Sequence, residues 1–106
     1  MSRLLPFHGI SSLSMTLRKH RQEVLDFLDA EGIKNVRVFG SVAKGQDGAD
    51  SDIDLLVTGS RPLGLMAQAR LEKELAQLLG TPVDLVFDHA VRPDLKEKIF
   101  QEALVL

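Results

Sequence analysis

The chain has 106 residues, no cysteine, and 13 basic against 15 acidic residues, for a net charge of -2. This length supports one hydrophobic core, and the lack of cysteine excludes disulfides and thiolate metal sites. The charge balance argues against broad electrostatic binding of nucleic acid, so no direct nucleic-acid binding is expected. The apolar runs are too short for a membrane span or a signal peptide, which favours a cytoplasmic protein without membrane contact.

The first 14 residues differ from the remainder of the chain. They include Pro6, Gly9, Ser11 and Ser12 and show no sustained hydrophobic periodicity. We therefore predict a poorly ordered N-terminal arm over residues 1–14 and a single folded domain over residues 15–106.

Hydrophobic periodicity and turn residues predict an alternation of helices and short strands. A helical turn is expected after Gly40, and residues 46–50 form a polar loop. The main predicted elements are a helix from Thr16 to about Ala30, strands over Val36–Phe39, Ile53–Val57 and Val83–Phe87, and helices over Leu63–Leu79 and from Pro93 to Ala103. This pattern predicts an α/β (α+β) fold in which helices flank a small sheet, but it leaves the strand order open.

Two carboxylates alternate at the start of the second predicted strand. Because successive strand side chains point to opposite faces, Asp52 and Asp54 share one face while Ile53 and Leu55 supply the core. The two carboxylates lie roughly 6.5–7 Å apart along the strand, and such a pair can ligate two Mg²⁺ ions. Oxygen ligands suit this cation.

A third carboxylate lies on the last predicted strand. Asp84 alternates with Val83 and Leu85, so it faces away from the core. If this strand pairs beside the second, Asp84 joins Asp52 and Asp54 on one surface. Three carboxylates with two metal ions could then support attack of a hydroxyl on an α-phosphate, with Asp84 accepting the proton or holding a metal.

A glycine–serine turn precedes these acids. Gly40 lets the backbone approach a phosphate closely, Ser41 offers a hydroxyl and an amide donor, and Lys44 is a mobile positive charge. Each part has a plain alternative, since such a turn is usually only a turn and strand acids are usually solvated. The combination in this order and spacing is far more specific than its parts, and it indicates nucleotide chemistry.

These segments resemble the minimal nucleotidyltransferases of the DNA polymerase beta superfamily. The resemblance is carried by the glycine–serine turn, by the paired acids of the second strand and by Val83-Asp84-Leu85-Val86, and it covers nearly the whole chain from Thr16. It implies a mixed, mainly antiparallel sheet flanked by helices. It also implies that Gly40, Ser41, Lys44 and Ser51 bind the nucleotide, and that Asp52, Asp54 and Asp84 are catalytic and hold Mg²⁺. Lys44 stands where many relatives carry arginine.

Members of this size resemble the antitoxin half of toxin–antitoxin modules. The resemblance implies transfer of AMP from ATP to a tyrosine of a partner toxin with a HEPN domain. One alternative is an antitoxin that neutralises its partner by binding alone, and another is an enzyme acting on a small hydroxylated molecule within an oligomer. The sequence leaves homo-oligomerisation open.

Overall fold

Five strands form one mixed sheet with helices packed around it in the computed structural model, which describes residues 5–7, 9–48, 51–61 and 63–106. Residues 1–4 and 8 of the predicted arm and residues 49 and 50 of the predicted loop lie outside these ranges. The elements are β1 (Leu5–Pro6), α1 (Ser12–Lys19), α2 (Arg21–Ala30), β2 (Ile33–Phe39), α3 (Gly40–Ala43), β3 (Ile53–Gly59), α4 (Leu65–Leu79), β4 (Val83–Phe87), a 3-10 turn (Asp88–Ala90), α5 (Pro93–Glu102) and β5 (Leu104–Val105).

The strand order across the sheet is β1-β5-β2-β3-β4. β2 pairs antiparallel with both β3 and β5, whereas β4 runs parallel to β3 and β1 runs parallel to β5. This arrangement confirms the predicted mixed sheet flanked by helices. The expectation of a mainly antiparallel sheet is met only in the two pairings of β2.

The core lies on one face of the sheet, beneath α1, α2 and α4. Ile53, Leu55 and Val57 of β3 are fully buried there, as the alternation predicted. Leucines from the helices complete this layer, with Leu71 and Leu75 of α4 also fully buried. The opposite face carries the predicted acids, and Leu56 of β3 is also fully buried on it.

The start of the first helix differs from the prediction. α1 begins at Ser12 rather than at Thr16, and Ser11 caps it, because the Ser11 side chain accepts a hydrogen bond from the Ser14 amide at 3.2 Å. Thr16 lies inside the helix and donates to the Ser12 carbonyl at 3.1 Å. The predicted single helix is also divided at His20, which ends α1 and precedes α2.

The first and last strands were not predicted. β1 and β5 have two residues each, too few to produce a periodic signal, and β5 follows α5 directly. The amide of Phe7 donates to the Val105 carbonyl at 2.6 Å, which extends the pairing of β1 with β5. The division between an arm over residues 1–14 and a domain from residue 15 stays a prediction, although β1 and the first turn of α1 lie within residues 1–14.

The outer edge of β4 is covered by side chains of α4. Glu72 accepts a hydrogen bond from the Leu85 amide at 2.8 Å, and Gln68 donates to the Leu85 carbonyl at 2.9 Å. Both backbone groups of this central edge residue are therefore paired without another strand. In the described ranges, none of the helices is both long and apolar enough to cross a membrane.

Candidate active site

The parallel pairing of β3 with β4 brings two of the predicted acids side by side. Asp54 and Asp84 are register partners in this pairing, and both lie on the sheet face opposite the core. Asp84 is exposed and Asp54 is half-buried. The prediction that Asp84 would join the acids of the preceding strand if the two strands paired is confirmed.

The surroundings of this pair oppose the ionisation of Asp54. Burial, the neighbouring Asp84 carboxylate and the Asp52 carboxylate together raise the pKa of Asp54 to about 6. A hydrogen bond with Asp84 favours the protonated form further. Close to neutral pH, Asp54 therefore carries a charge that its surroundings oppose.

Asp52 lies one residue before β3 and is exposed. Its negative charge contributes to the raised pKa of Asp54. No group of three or more His, Asp or Glu side chains is arranged as a metal site within the described part of the chain. The acids thus form a contacting pair with a third carboxylate close by.

This donor set nevertheless fits Mg²⁺. The cation prefers oxygen ligands, and it is usually held by one or two carboxylates together with waters and substrate phosphates. A divalent charge would also relieve the repulsion that raises the pKa of Asp54. The residues present could therefore hold Mg²⁺ once a phosphate supplies the remaining oxygens.

The glycine–serine turn packs directly against Asp54. Gly40 begins α3 with a φ of 75°, a backbone conformation that favours glycine. A Cβ atom at Gly40 would overlap with the Asp54 carboxylate. Glycine is thus required at position 40 for two reasons: the backbone conformation, and the close approach of the turn to Asp54.

The remaining predicted nucleotide ligands lie in this turn or follow it in the chain. Ser41 is half-buried within α3, and its carbonyl accepts from the Gln46 amide at 2.9 Å. Lys44 follows α3, and its Nζ lies 3.3 Å from a Glu102 carboxylate oxygen. The Ser51 hydroxyl accepts from the Gly48 amide at 2.8 Å, so it closes the loop that leads to Asp52.

Asp88, the residue after β4, is a further carboxylate, but it has structural partners. Burial opposes its ionisation, but hydrogen bonds from Thr58 and Arg37 prevail and lower its pKa below the usual range. Thr58 donates to Asp88 at 2.6 Å, and Arg37, only 5% exposed, lies 4.8 Å from the centre of the Phe100 ring. This cluster anchors α5 to the sheet.

Glu102 is a neighbour of the turn that was not predicted from the sequence. It lies 58 positions after Lys44 in the chain, and the two side chains form an ion pair. No local pattern connects residues so far apart.

The variants Gly40→Ala and Gly45→Ala together separate the cost of the positive φ from the cost of the contact with Asp54. Gly45→Ala is the control, because it tests the positive φ alone. Gly45 has a φ of 70° but no atom within 4 Å of an added Cβ. We expect Gly45→Ala to cost about 1–2 kcal/mol of unfolding free energy from backbone strain alone. Gly40→Ala should cost a further 1–3 kcal/mol or so, because the methyl group overlaps with Asp54. Urea denaturation measures both, and equal losses would contradict the close packing.

The raised pKa of Asp54 predicts that Asp54→Asn stabilises the ligand-free protein at pH 7.5. The folded pKa of about 6 exceeds the unfolded value of 3.8, so the folded state binds the proton more tightly and the wild-type protein loses stability as pH rises through this window. After allowance for solvent screening, the gain is on the order of 1–2 kcal/mol. It should shrink as pH falls towards 4.

Chemical denaturation at pH 7.5 and pH 4 measures this difference. Asp29→Asn, which changes an exposed carboxylate of α2, is the control and should alter stability equally at both values. A gain for Asp54→Asn that does not depend on pH would contradict the electrostatic explanation.

Comparison with known proteins agrees with this geometry. The sequence profile of the nucleotidyltransferase domain matches residues 17–106. A protein of Methanocaldococcus jannaschii, named as a candidate protein adenylyltransferase, is 32% identical over 90 residues, which cover 85% of this chain and 97% of the relative. The protein adenylyltransferase MntA of Thermococcus cleftensis is 28% identical, with 90% of this chain and 93% of the relative covered.

Solved structures extend the comparison to the fold. A structure described as a candidate minimal nucleotidyltransferase superposes with a TM-score of 0.78 at 41% identity, covering 93% of this chain and all of that one. A toxin–antitoxin structure with AMP-PNP has a TM-score of 0.63 at 28% identity, covering 70% of this chain and 61% of that one. The resemblance drawn from the motifs is confirmed, and the chain belongs to the nucleotidyltransferase domain family.

Proposed function

We propose that this protein transfers AMP from ATP to a tyrosine hydroxyl of a HEPN-domain toxin, in a reaction that depends on Mg²⁺, and that it thereby acts as an antitoxin. The observation that carries the proposal is the placement of the Asp54–Asp84 pair directly against the turn at Gly40. A phosphate site and a cation site are adjacent there. A magnesium nucleoside triphosphate needs both.

The reaction forms a bond between the acceptor oxygen and the α-phosphorus and breaks the bond from that phosphorus to the bridging oxygen, releasing pyrophosphate. Bound Mg²⁺ supplies positive charge that offsets the charge developing on the phosphates. Asp52 and Asp54 hold the metal. Asp84 accepts the proton of the hydroxyl or serves as a further metal ligand.

The chain's own backbone positions the triphosphate. Gly40 allows close approach of the phosphates, Ser41 donates hydrogen bonds to them, and Lys44 contributes a positive charge. Ser51 acts indirectly, because its hydroxyl accepts a hydrogen bond from the Gly48 amide just before Asp52. We assign Ser51 to the nucleotide site on this ground and on the family resemblance.

In this proposal the acceptor comes from another molecule. Asp52 and Asp84 are exposed, so a protein segment presented by a partner can reach this face of the sheet. Similar chains occur in structures described as toxin–antitoxin complexes, and a relative is named as a protein adenylyltransferase. A toxin partner in the cytoplasm therefore supplies the hydroxyl.

A second candidate function is neutralisation of the partner by binding alone. Exposed apolar side chains favour it, because Ile10 is 85% exposed and Leu65 and Met66 at the start of α4 are 86% and 88% exposed. Under this alternative the three acids would not be needed for neutralisation. Both functions predict a complex, but only the first predicts a covalent product.

The double change Asp52→Asn with Asp54→Asn tests the proposal. Intact-mass spectrometry of the partner toxin, after incubation with this protein, ATP and Mg²⁺, should show a gain of one or more AMP groups. The double variant should lose at least about 100-fold in rate, since it removes the charges that hold the metal. Asp26→Asn with Asp29→Asn, on the exposed side of α2, is the matched control and should retain the activity.

Two results would decide between the candidate functions. A partner that is silenced in a stable complex without any mass gain would favour binding alone. Full transfer by the Asp52→Asn, Asp54→Asn variant would contradict the assignment of these acids.

A further inference from the structure

The lysine of the glycine–serine turn already has an anionic neighbour. Lys44 Nζ lies 3.3 Å from Glu102 Oε1, with the two side chains 43% and 29% exposed. No other ion pair of either side chain occurs in the described part of the chain. A carboxylate therefore lies within ion-pair distance of the lysine of the proposed phosphate site.

The backbone fixes where Glu102 lies. It is the last residue of α5, and the next residue, Ala103, is 2% exposed and donates its amide to the Ile99 carbonyl at 3.0 Å. Leu104 then pairs with Val38 of β2, two residues before Gly40. The end of α5 is thus tied to the strand that leads into the turn.

The position of Lys44 is equally constrained. It directly follows α3 as the C-terminal cap, and its amide donates to the Gly40 carbonyl at 3.2 Å. The flanking Ala43 packs against the hydrophobic core. Both members of the ion pair therefore start from backbone positions set by secondary structure, unlike two long side chains that meet by chance on a surface.

A triphosphate and the Glu102 carboxylate attract the same ammonium group. An ammonium is a compact point charge with rotatable donors, so its position is set by whichever anion offers the stronger field. Glu102 also adds a negative charge close to the phosphates, and the remaining repulsion weakens their binding.

We propose that Glu102 is a positioning residue that holds Lys44 beside the turn and competes with the triphosphate for it. The inference rests on the proposed function, in that it takes the turn to bind the phosphates of ATP. Glu102 acts through Lys44 and touches no substrate. Its competition limits how tightly the nucleotide, and the pyrophosphate released from it, are held.

The test is a double-mutant cycle on nucleotide affinity. Calorimetry with MgATP and with magnesium pyrophosphate would compare the wild-type protein with Glu102→Gln, Lys44→Met and the double variant. Removing the charge of Glu102 should tighten binding of both ligands about 3–10-fold, which loss of structure could not do. In the Lys44→Met background the same change should have less than about a 2-fold effect.

Glu97→Gln is the matched control because it removes the same charge from an exposed position on α5. It should alter affinity less than about 2-fold. Glu102→Asp, which keeps the charge but shortens the side chain, should fall between wild type and Glu102→Gln.

Several results would overturn the inference. These are unchanged or weaker binding by Glu102→Gln, equal tightening in the Lys44→Met background, and wild-type affinity in Lys44→Met alone. The last leaves the proposed function intact, because the protein would still bind MgATP without Lys44. Failure of the wild-type protein to bind MgATP at all would instead contradict the proposed function itself.

Discussion

The parallel pairing of β3 with β4 is the constraint on which the site depends. Its register sets Asp54 beside Asp84, and the same register places Leu55 beside Leu85 in the core on the other face. A slip of one residue would bury the carboxylates and expose the leucines. Hydrophobic packing beneath the sheet therefore holds two like charges together above it, although they repel each other.

The second half of the site depends on how closely the chain can approach this pair. The turn at Gly40 leaves no room for a methyl group next to Asp54, so the turn and this carboxylate are held almost in contact. The raised pKa of Asp54 is the electrostatic consequence of this crowding. A perturbed pKa of this kind is typical of functional sites.

Local patterns were sufficient for much of the fold and for the acids. Strand alternation predicted which face Asp54 and Asp84 share, and turn residues predicted the helical turn at Gly40. Contacts between distant parts of the chain could not be predicted in this way. The two-residue strands β1 and β5, the cap at Ser11 and the pairing of Glu102 with Lys44 all depend on long-range packing or on competing local signals.

The most direct test of the account is a crystal structure with Mn²⁺ in place of Mg²⁺ and a non-hydrolysable ATP analogue, because Mn²⁺ can be located by its anomalous scattering. We predict Mn²⁺ peaks in contact with carboxylate oxygens of Asp52 and Asp54, and analogue phosphates within hydrogen-bond distance of Ser41. A nucleotide bound elsewhere, or bound here without metal at the acids, would contradict the central claim that the strand register and the turn together build a metal–nucleotide site.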